Sequence, residues 1–416
     1  MEQRVRCFQA AKCASVRGPA CIGWSEGARV NARERRRSLA AIIGSVFGVG
    51  IAYGALTPLL SLRLEAAGVD SLVIGLQGAM FPMATLVIGG FIPALVSRVR
   101  LLPVLYTSLA VATASAVLFP VFPSLSAWFA LRFLMGAAGT VHWIVSEIWM
   151  NALATPRDRS RLMGAYATAL AAGFTVGPLV VRATGPEGWL PFAAIAVGIL
   201  IAALPLPLAR ALVPTLPPHD PVGMRDPFRR QPGVLLAALL AGLLDAALFV
   251  FLPLYGLRSG LDASDAIALV AWFMAGNVVF QIPLGMWADR SDRWQLLRLC
   301  VLCSLLGALL LPILAPDGAM PSKPLLAAML FVWGGTSFGL YTLSLAILGE
   351  RSSLAELAAA NTAFVMVYEV GSVSGPILAG AAMEVAGRDG LILLTVAACA
   401  LFFLVERLWR AERAAP

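Results

Sequence analysis

The sequence predicts an all-α integral membrane protein whose twelve transmembrane helices form two similar six-helix bundles. Hydrophobic residues make up 59% of the 416 positions and charged residues 13%, whereas about a quarter of the residues in a soluble protein are charged. The mean hydropathy of +0.84 reflects long apolar runs, each close to the roughly 20 residues that cross a bilayer as a helix. Short turns separate these runs, so no soluble domain fits between them.

The predicted spans follow the apolar runs in chain order. They are Leu39–Leu62, Leu72–Ser97, Leu101–Phe122, Ser126–Leu153, Ser160–Val181, Trp189–Ala211, Gly233–Leu257, Asp265–Ala288, Leu296–Ala315, Pro324–Leu348, Leu354–Met383 and Leu391–Trp409. The predicted division of the chain is a cytoplasmic tail at 1–37, a bundle at 38–213, a cytoplasmic linker at 214–232, a bundle at 233–410 and a cytoplasmic tail at 411–416. We expect the first tail to be disordered, or translation to start near Val30.

The basic residues predict the orientation of the chain. With a cytoplasmic N-terminus, the cytoplasmic loops and tails hold 25 of the 31 Lys and Arg residues, the opposite loops hold five, and one lies within a span. Such an excess on one side places both termini in the cytoplasm. The net charge of +8 is therefore explained by the basic residues of the cytoplasmic loops and tails. No nucleic-acid partner is predicted.

The two halves of the chain repeat each other. Pro58-Leu-Leu-Ser-Leu-Arg63 matches Pro253-Leu-Tyr-Gly-Leu-Arg258. The motif that joins Gly173, Gly177 and Pro178 recurs 198 residues later, as Gly371, Gly375 and Pro376. Matches in the same order and at nearly constant offset predict two halves of the same orientation, related by an axis along the membrane normal.

Three motifs carry a resemblance to a known family. The first is the turn Gly285-Met-Trp-Ala-Asp289-Arg290-Ser-Asp292-Arg293, between two apolar runs. The second is Arg132-Phe-Leu-Met-Gly136 in the fourth span, and the third is the glycine-proline motif of the fifth span. Together they resemble the major facilitator superfamily over residues 39–410, and the stretches Trp143–Glu147 and Asn361–Pro376 look like a poorly characterised bacterial branch of it.

The resemblance implies a fold and a set of roles. It implies secondary transport by two rocking bundles, a monomer in the bacterial inner membrane, and no cofactor. It implies that the turn carrying Asp289, Arg290 and Arg293 locks neighbouring helices, and Gly285 should let another helix approach closely. The first-half copy keeps Arg98 but has Ser97 where the family has Asp. Arg132 is implicated in proton coupling, and the glycine-proline motif is associated with exporters, although its second copy weakens that link.

Ionisable side chains within spans are costly and usually face a cavity or a partner. Arg132, Trp143 and Glu147 fall on one helical stripe with two glycines, which we predict to face a cavity. Asp245 and Glu369 lie near the middle of spans 7 and 11, and we predict that either or both carry a coupling proton, with Arg132 as a fixed or substrate-facing cation. Glu147 is a further candidate for proton coupling. The alternatives are that Arg132 caps carbonyl groups and that the acids form static pairs, Glu147 with Arg157 or Arg161.

Polar and amphipathic side chains within other spans predict an aromatic, modestly polar cavity, or alternatively glue between helices. They are Tyr53, Thr57, Asn277, Gln281, Trp333, Tyr341, Asn361 and Tyr368. No metal site and no catalytic constellation is predicted, so the chain is not expected to be an enzyme. The leading hypothesis is proton-coupled export of a hydrophobic or amphipathic small organic molecule. The alternatives are uptake of a small organic solute by proton symport, and a sensor or scaffold without flux.

Overall fold

The computed structural model describes residues 32–96, 98–155, 158–213, 231–316, 322–352 and 357–414. Twelve helices in this part of the chain are long and apolar enough to cross a membrane, and no strand occurs in it. They are α1 Ala32–Ala66, α2 Ser71–Phe91, α3 Leu101–Val121, α4 Leu125–Leu153, α5 Arg159–Thr184, α6 Leu190–Arg210, α7 Pro232–Arg258, α8 Ala263–Ala288, α9 Arg293–Leu314, α10 Lys323–Arg351, α11 Leu357–Ala386 and α12 Asp389–Ala414. The predicted fold class is confirmed.

The helix ends differ from the predicted ends at both termini. α1 begins at Ala32, so the basic run Arg33–Arg37 lies in the helix and not in the tail. α12 continues to Ala414, past the predicted end of the second bundle at residue 410. Arginine is a good helix former, and a helix can therefore extend beyond the apolar run that crosses the bilayer. The predicted start near Val30 and most of the linker, residues 214–230, lie outside the described residues.

Each half is built around a close crossing of its first and fifth helices. In the first half, a Cβ atom on Gly173 or Gly177 of α5 would overlap the backbone of α1 near Gly50 and Gly54. Only a residue without a side chain fits there, and the two helix backbones meet directly. The equivalent crossing in the second half joins α11 to α7. Gly371 and Gly375 of α11 lie against the backbone of α7 at Leu239 and Leu243, in the same way. The two crossings join α1 to α5 and α7 to α11, and we call these four the central helices.

Arg35 ties the start of α1 to the loop between α4 and α5. Its Nη2 donates to Asp158 Oδ2 at 2.6 Å, and its Nε donates to the carbonyl oxygen of Leu153 at 2.8 Å. The bond from Arg35, together with donors of Thr155, lowers the pKa of Asp158 to about 2. A carboxyl group whose pKa is lower in the folded than in the unfolded protein stabilises the fold at any pH above its unfolded pKa. That stabilisation is lost as the pH falls through the folded pKa.

We therefore expect Asp158 to stay ionised across physiological pH. Replacing Asp158 with Asn should leave the shape of any pH–activity profile between about pH 5 and 8 unchanged, because its titration lies below that window. A profile recorded on purified protein in vesicles checks this. A shifted midpoint in the variant would contradict it.

Candidate functional site

A cavity of about 520 Å³ lies between the two halves, bordered by the central helices and by α2, α4, α8 and α10. Most of the predicted site residues line it. They are Tyr53, Thr57, Arg132, Trp143, Glu147, Asp245, Asn277, Gln281, Tyr341, Tyr368 and Glu369. The size is within the roughly 300–1,000 Å³ that is usual for small-molecule pockets.

Asp245 stands in the cavity wall beside two tyrosines. It is 5% exposed, and Tyr368 Oη donates to its Oδ2 at 3.2 Å, while Oδ1 has no partner. The ring of Tyr341 meets that of Tyr368 edge-to-face, with the centroids 4.9 Å apart. α7 supplies the carboxyl and α11 its hydroxyl donor, so the pair depends on the crossing of these helices.

Glu369 is the second buried acid of this half and follows Tyr368 directly on α11. It is 4% exposed and lines the same cavity. Within the described residues, none of the ion pairs involves Glu369, Asp245 or Glu147. The predicted alternative of a pair between Glu147 and Arg161 is therefore not observed, and Arg157 lies outside the described residues. Three carboxyl groups thus border one cavity, and none of them has a basic partner among the described residues.

Arg132 is the one basic side chain among the described residues of the cavity wall. It is 3% exposed, and its Nη2 donates to Thr57 Oγ1 at 2.6 Å. Its Nε and Nη1 have no hydrogen-bond partner. Next to it, Tyr53 Oη donates to the carbonyl oxygen of Met135 at 2.5 Å. Arg132 therefore does not cap carbonyl groups through these two nitrogens, contrary to the alternative considered for it.

The predicted stripe of α4 divides between two surroundings. Arg132, Trp143 and Glu147 line the cavity as expected, and so does Gly139, where a Cβ atom would overlap the ring of Tyr53. Gly136 instead lies against the backbone of α2 at Phe81. Sequence spacing placed these residues on one face, but α2 covers the middle of that face.

Two predicted cavity residues lie elsewhere. Trp333 is 2% exposed and packs edge-on against Phe273, with the ring centroids 5.8 Å apart, over Gly307 of α9. Asn361 is exposed near the start of α11. Neither side chain is in the cavity wall, so neither is placed to contact a molecule bound there in this conformation.

Sequence reasoning missed the apolar part of the wall. It consists of aromatic, aliphatic and methionine side chains, among them Phe81, Met163, Tyr166, Leu170, Phe174, Phe249, Met274 and Phe338. Many of them lie three or four positions from one another or from a predicted polar residue, and so on the same face of the helix. Phe249 is four positions from Asp245, and Met274 is three from Asn277. Residues three or four positions from each predicted polar residue could therefore have been included from the sequence.

The two halves are held together at one membrane face, which we call the latched face and define by Glu65, Ser71, Arg258 and Glu384. Arg258 of α7 donates from Nε and Nη2 to both carboxylate oxygens of Glu65, at 2.7 and 2.8 Å, and from Nη2 to Ser71 Oγ at 2.8 Å. Glu384 of α11 accepts from the backbone nitrogen of Ser71 at 2.9 Å. Each half thus provides an acid to a donor of the other half.

At the opposite face, two clusters of ion pairs lie within the second half. Arg293 joins Asp289 at the end of α8 to Glu350 at the end of α10, at 3.1 and 2.6 Å. Arg298 pairs with Glu406 at 2.9 Å. The lining residues lie in the middle of the helices and towards the face that carries these pairs, and Glu147 lies about 22 Å along α4 from Arg132. Together with the bonds between the halves at the latched face, this indicates that the latched face is the closed one.

The predicted close approach at Gly285 is wrong for this conformation. A Cβ atom there would meet open space, so no other helix packs closely against this glycine. Arg293 does link neighbouring helices, as described above, whereas Arg290 and Arg98 are exposed. The lock formed by this turn thus lies within the second half.

We expect the bonds of Arg258 to Glu65 and Ser71 to set the balance between conformers that are closed and open at the latched face. The bidentate pair and the serine bond are partly exposed, so we assign them about 1–2 kcal/mol together, which corresponds to a roughly fivefold to thirtyfold change in population. Arg258→Gln should therefore increase the fraction of molecules that open at the latched face. Spin labels are placed at Ala67 and Val385, which are both exposed. Double electron–electron resonance should then show an additional, longer distance between the two labels.

The matched control is Lys323→Gln at the same face. Lys323 pairs with Asp265 of its own half at 2.6 Å, so its loss should leave the distance distribution unchanged. Equal distributions for wild type and Arg258→Gln would show that the latch does not hold this face closed.

Comparison with known proteins identifies the class. A model of the Major Facilitator Superfamily matches residues 42–271 and 234–416. The chain is 25% identical over 342 residues to the "uncharacterized MFS-type transporter YfkF" of Bacillus subtilis (strain 168), covering 80% of this chain and 86% of that protein. It is 27% identical over 283 residues to the "uncharacterized MFS-type transporter YcaD" of Escherichia coli O9:H4 (strain HS), covering 67% and 71%.

A solved structure shares the fold. The crystal structure of the nucleoside transporter NupG matches with a TM-score of 0.71 at 14% identity, over 91% of this chain and 99% of that chain. Fold, cavity and relatives define a multi-pass bacterial membrane transporter and not an enzyme. The chain belongs to the major facilitator superfamily, and the resemblance seen in its sequence is confirmed.

Proposed function

We propose that this chain is a proton-coupled exporter of a hydrophobic or amphipathic small organic molecule, and that it works by alternating access. The observation that carries the proposal is the pair of buried acids Asp245 and Glu369, which border the cavity between the halves and form no ion pair with a described basic residue. A buried carboxyl group favours its neutral form. It can load a proton when water reaches it from one side and release the proton when access alternates.

The cavity wall supports the substrate class. Aromatic and aliphatic side chains form most of it, and the polar groups are few and separated. Such walls bind a molecule with a large apolar part and orient it through a small number of polar contacts. The wall lacks a cluster of Lys or Arg among its described residues, which disfavours a substrate with several phosphate groups.

The direction and the setting belong to the same proposal. With both termini in the cytoplasm of a bacterial cell, in accordance with the basic residues of the loops, the latched face is periplasmic and the cavity belongs to an inward-facing conformer of the inner membrane. One chain provides both halves of the cavity, so a monomer is sufficient. The glycine-proline motif of α5 favours export, and its copy in α11 leaves proton-symport uptake as the second candidate.

Flux measurements test the function. Purified protein in vesicles with an imposed pH gradient is exposed to a panel of amphipathic compounds, and both compound and proton movement are recorded. Accumulation against an opposing proton flow supports export, and accumulation along the proton flow supports symport. Binding of panel compounds without flux under either gradient would contradict both and favour the sensor or scaffold.

A further inference from the structure

The unpaired guanidinium of Arg132 points to the charge of the transported molecule. Arg132 is buried, with 3% of its surface exposed. Within the described part of the chain, no carboxylate forms an ion pair with it. Its bond to Thr57 leaves Nε and Nη1 without partners. A buried cation with free donors is an incomplete site.

The acids of the cavity differ from Arg132 in one chemical respect. A carboxyl group that is buried can become neutral by taking up a proton, whereas a guanidinium in a protein does not lose one. Asp245, Glu369 and Glu147 therefore need no ligand charge to be tolerated. Arg132 remains cationic in every state, and only an added anion can neutralise it.

Among the described residues, no carboxylate lies within ion-pair distance of Arg132. The hydroxyl of Tyr53 is directed to the carbonyl oxygen of Met135, and the ring of Tyr53 packs edge-on against Phe81, with the centroids 5.2 Å apart. This end of the cavity is thus a guanidinium framed by aromatic rings. Planar guanidinium groups suit carboxylates, which accept two parallel hydrogen bonds.

We infer that the transported molecule is an amphipathic organic monoanion, whose carboxylate pairs with Arg132 and whose apolar body lies against the aromatic wall. The inference rests on the proposed transport function and names its substrate class. An organic cation, held by the acids and the rings of Tyr341 and Tyr368, is the opposite outcome and is tested in the same experiment.

The test compares three probes that share one aromatic body: naphthylacetate, naphthylacetamide and naphthylethylamine. Their binding to the full chain in lipid nanodiscs is measured by calorimetry. We expect the carboxylate to bind about tenfold or more tightly than the amide, since a hydrogen-bonded charge pair is worth roughly that factor. Tightest binding of the amine, or equal binding of all three, overturns the inference.

Variants locate the effect. Arg132→Gln should remove the preference for the carboxylate over the amide, and Arg132→Lys should restore part of it. Arg100→Gln, at an exposed arginine between α2 and α3, is the control and should bind like wild type. If Arg132→Gln does not fold, Thr57→Val frees Nη2 of Arg132 and should strengthen carboxylate binding relative to amide binding. A carboxylate preference that persists in folded Arg132→Gln contradicts the assignment.

The binding and flux measurements distinguish a failure of the inferred charge from a failure of the proposed transport function. A carboxylate preference without proton-driven flux would leave the pairing of a bound carboxylate with Arg132 standing and contradict the proposed transport function. Proton-driven flux of the amine or the amide, with no movement of the carboxylate, would support the transport function and overturn the inferred charge.

Discussion

Asp245→Asn is expected to reduce flux driven by a pH gradient to the level of protein-free vesicles. Asparagine has the shape of aspartate and can still accept the bond from Tyr368, but it cannot take up a proton. Because Asp245 has no basic partner in the described residues, the variant leaves no unpaired charge behind, and folding should be preserved. The change therefore separates proton carriage from structure.

The measurement is proton movement recorded by a dye trapped in the vesicles, together with uptake of a compound found in the flux panel. Glu369→Gln is tested in parallel, since the two acids can share the role. Asp70→Asn is the control, because Asp70 is exposed in the turn between α1 and α2 and its side chain caps no helix. Full proton coupling in Asp245→Asn would reject Asp245 as the carrier.

Gly177→Ala is expected to destabilise the protein by about 1–3 kcal/mol, or more if the helices cannot separate. The added methyl group would overlap the backbone of α1 at Gly54 and Ala55, and a helix backbone cannot move aside as a flexible side chain can. The same substitution at Gly375 should have a similar effect, since it meets the backbone of α7 at Leu243. Valine at either position should prevent recovery of folded protein.

Two glycines of the same chain provide controls with the opposite expected sign. Gly198 of α6 and Gly164 of α5 have open space where a Cβ atom would be. Alanine there should be neutral or stabilise by up to about 1 kcal/mol, because alanine favours a helix more than glycine. Thermal unfolding of the purified variants in detergent gives the comparison. Equal midpoints for Gly177→Ala and Gly198→Ala would show that the crossing is not tightly packed.

The sequence by itself determined the number of membrane helices and the family. The bilayer requires about 20 apolar residues for each crossing, and this requirement shows directly in the runs of the chain. The internal repeat and the motifs at Asp289, Arg132 and Gly177 added the two-half architecture. Asp245 and Glu369 could be singled out because a charge within an apolar run is costly, and the structure places both in the cavity wall.

Only the tertiary structure decided which face of each helix meets the cavity and which face of the membrane is closed. A helix in lipid is apolar on its buried and its lipid-facing sides alike, so hydropathy does not distinguish them. This is why Trp333 was predicted in the cavity but packs on Phe273, and why the aromatic wall was missed. The latch of Arg258 on Glu65 and the open space beside Gly285 depend on how far the two halves have rotated. The contacts between the two halves determine which conformer forms, and local sequence patterns do not predict those contacts.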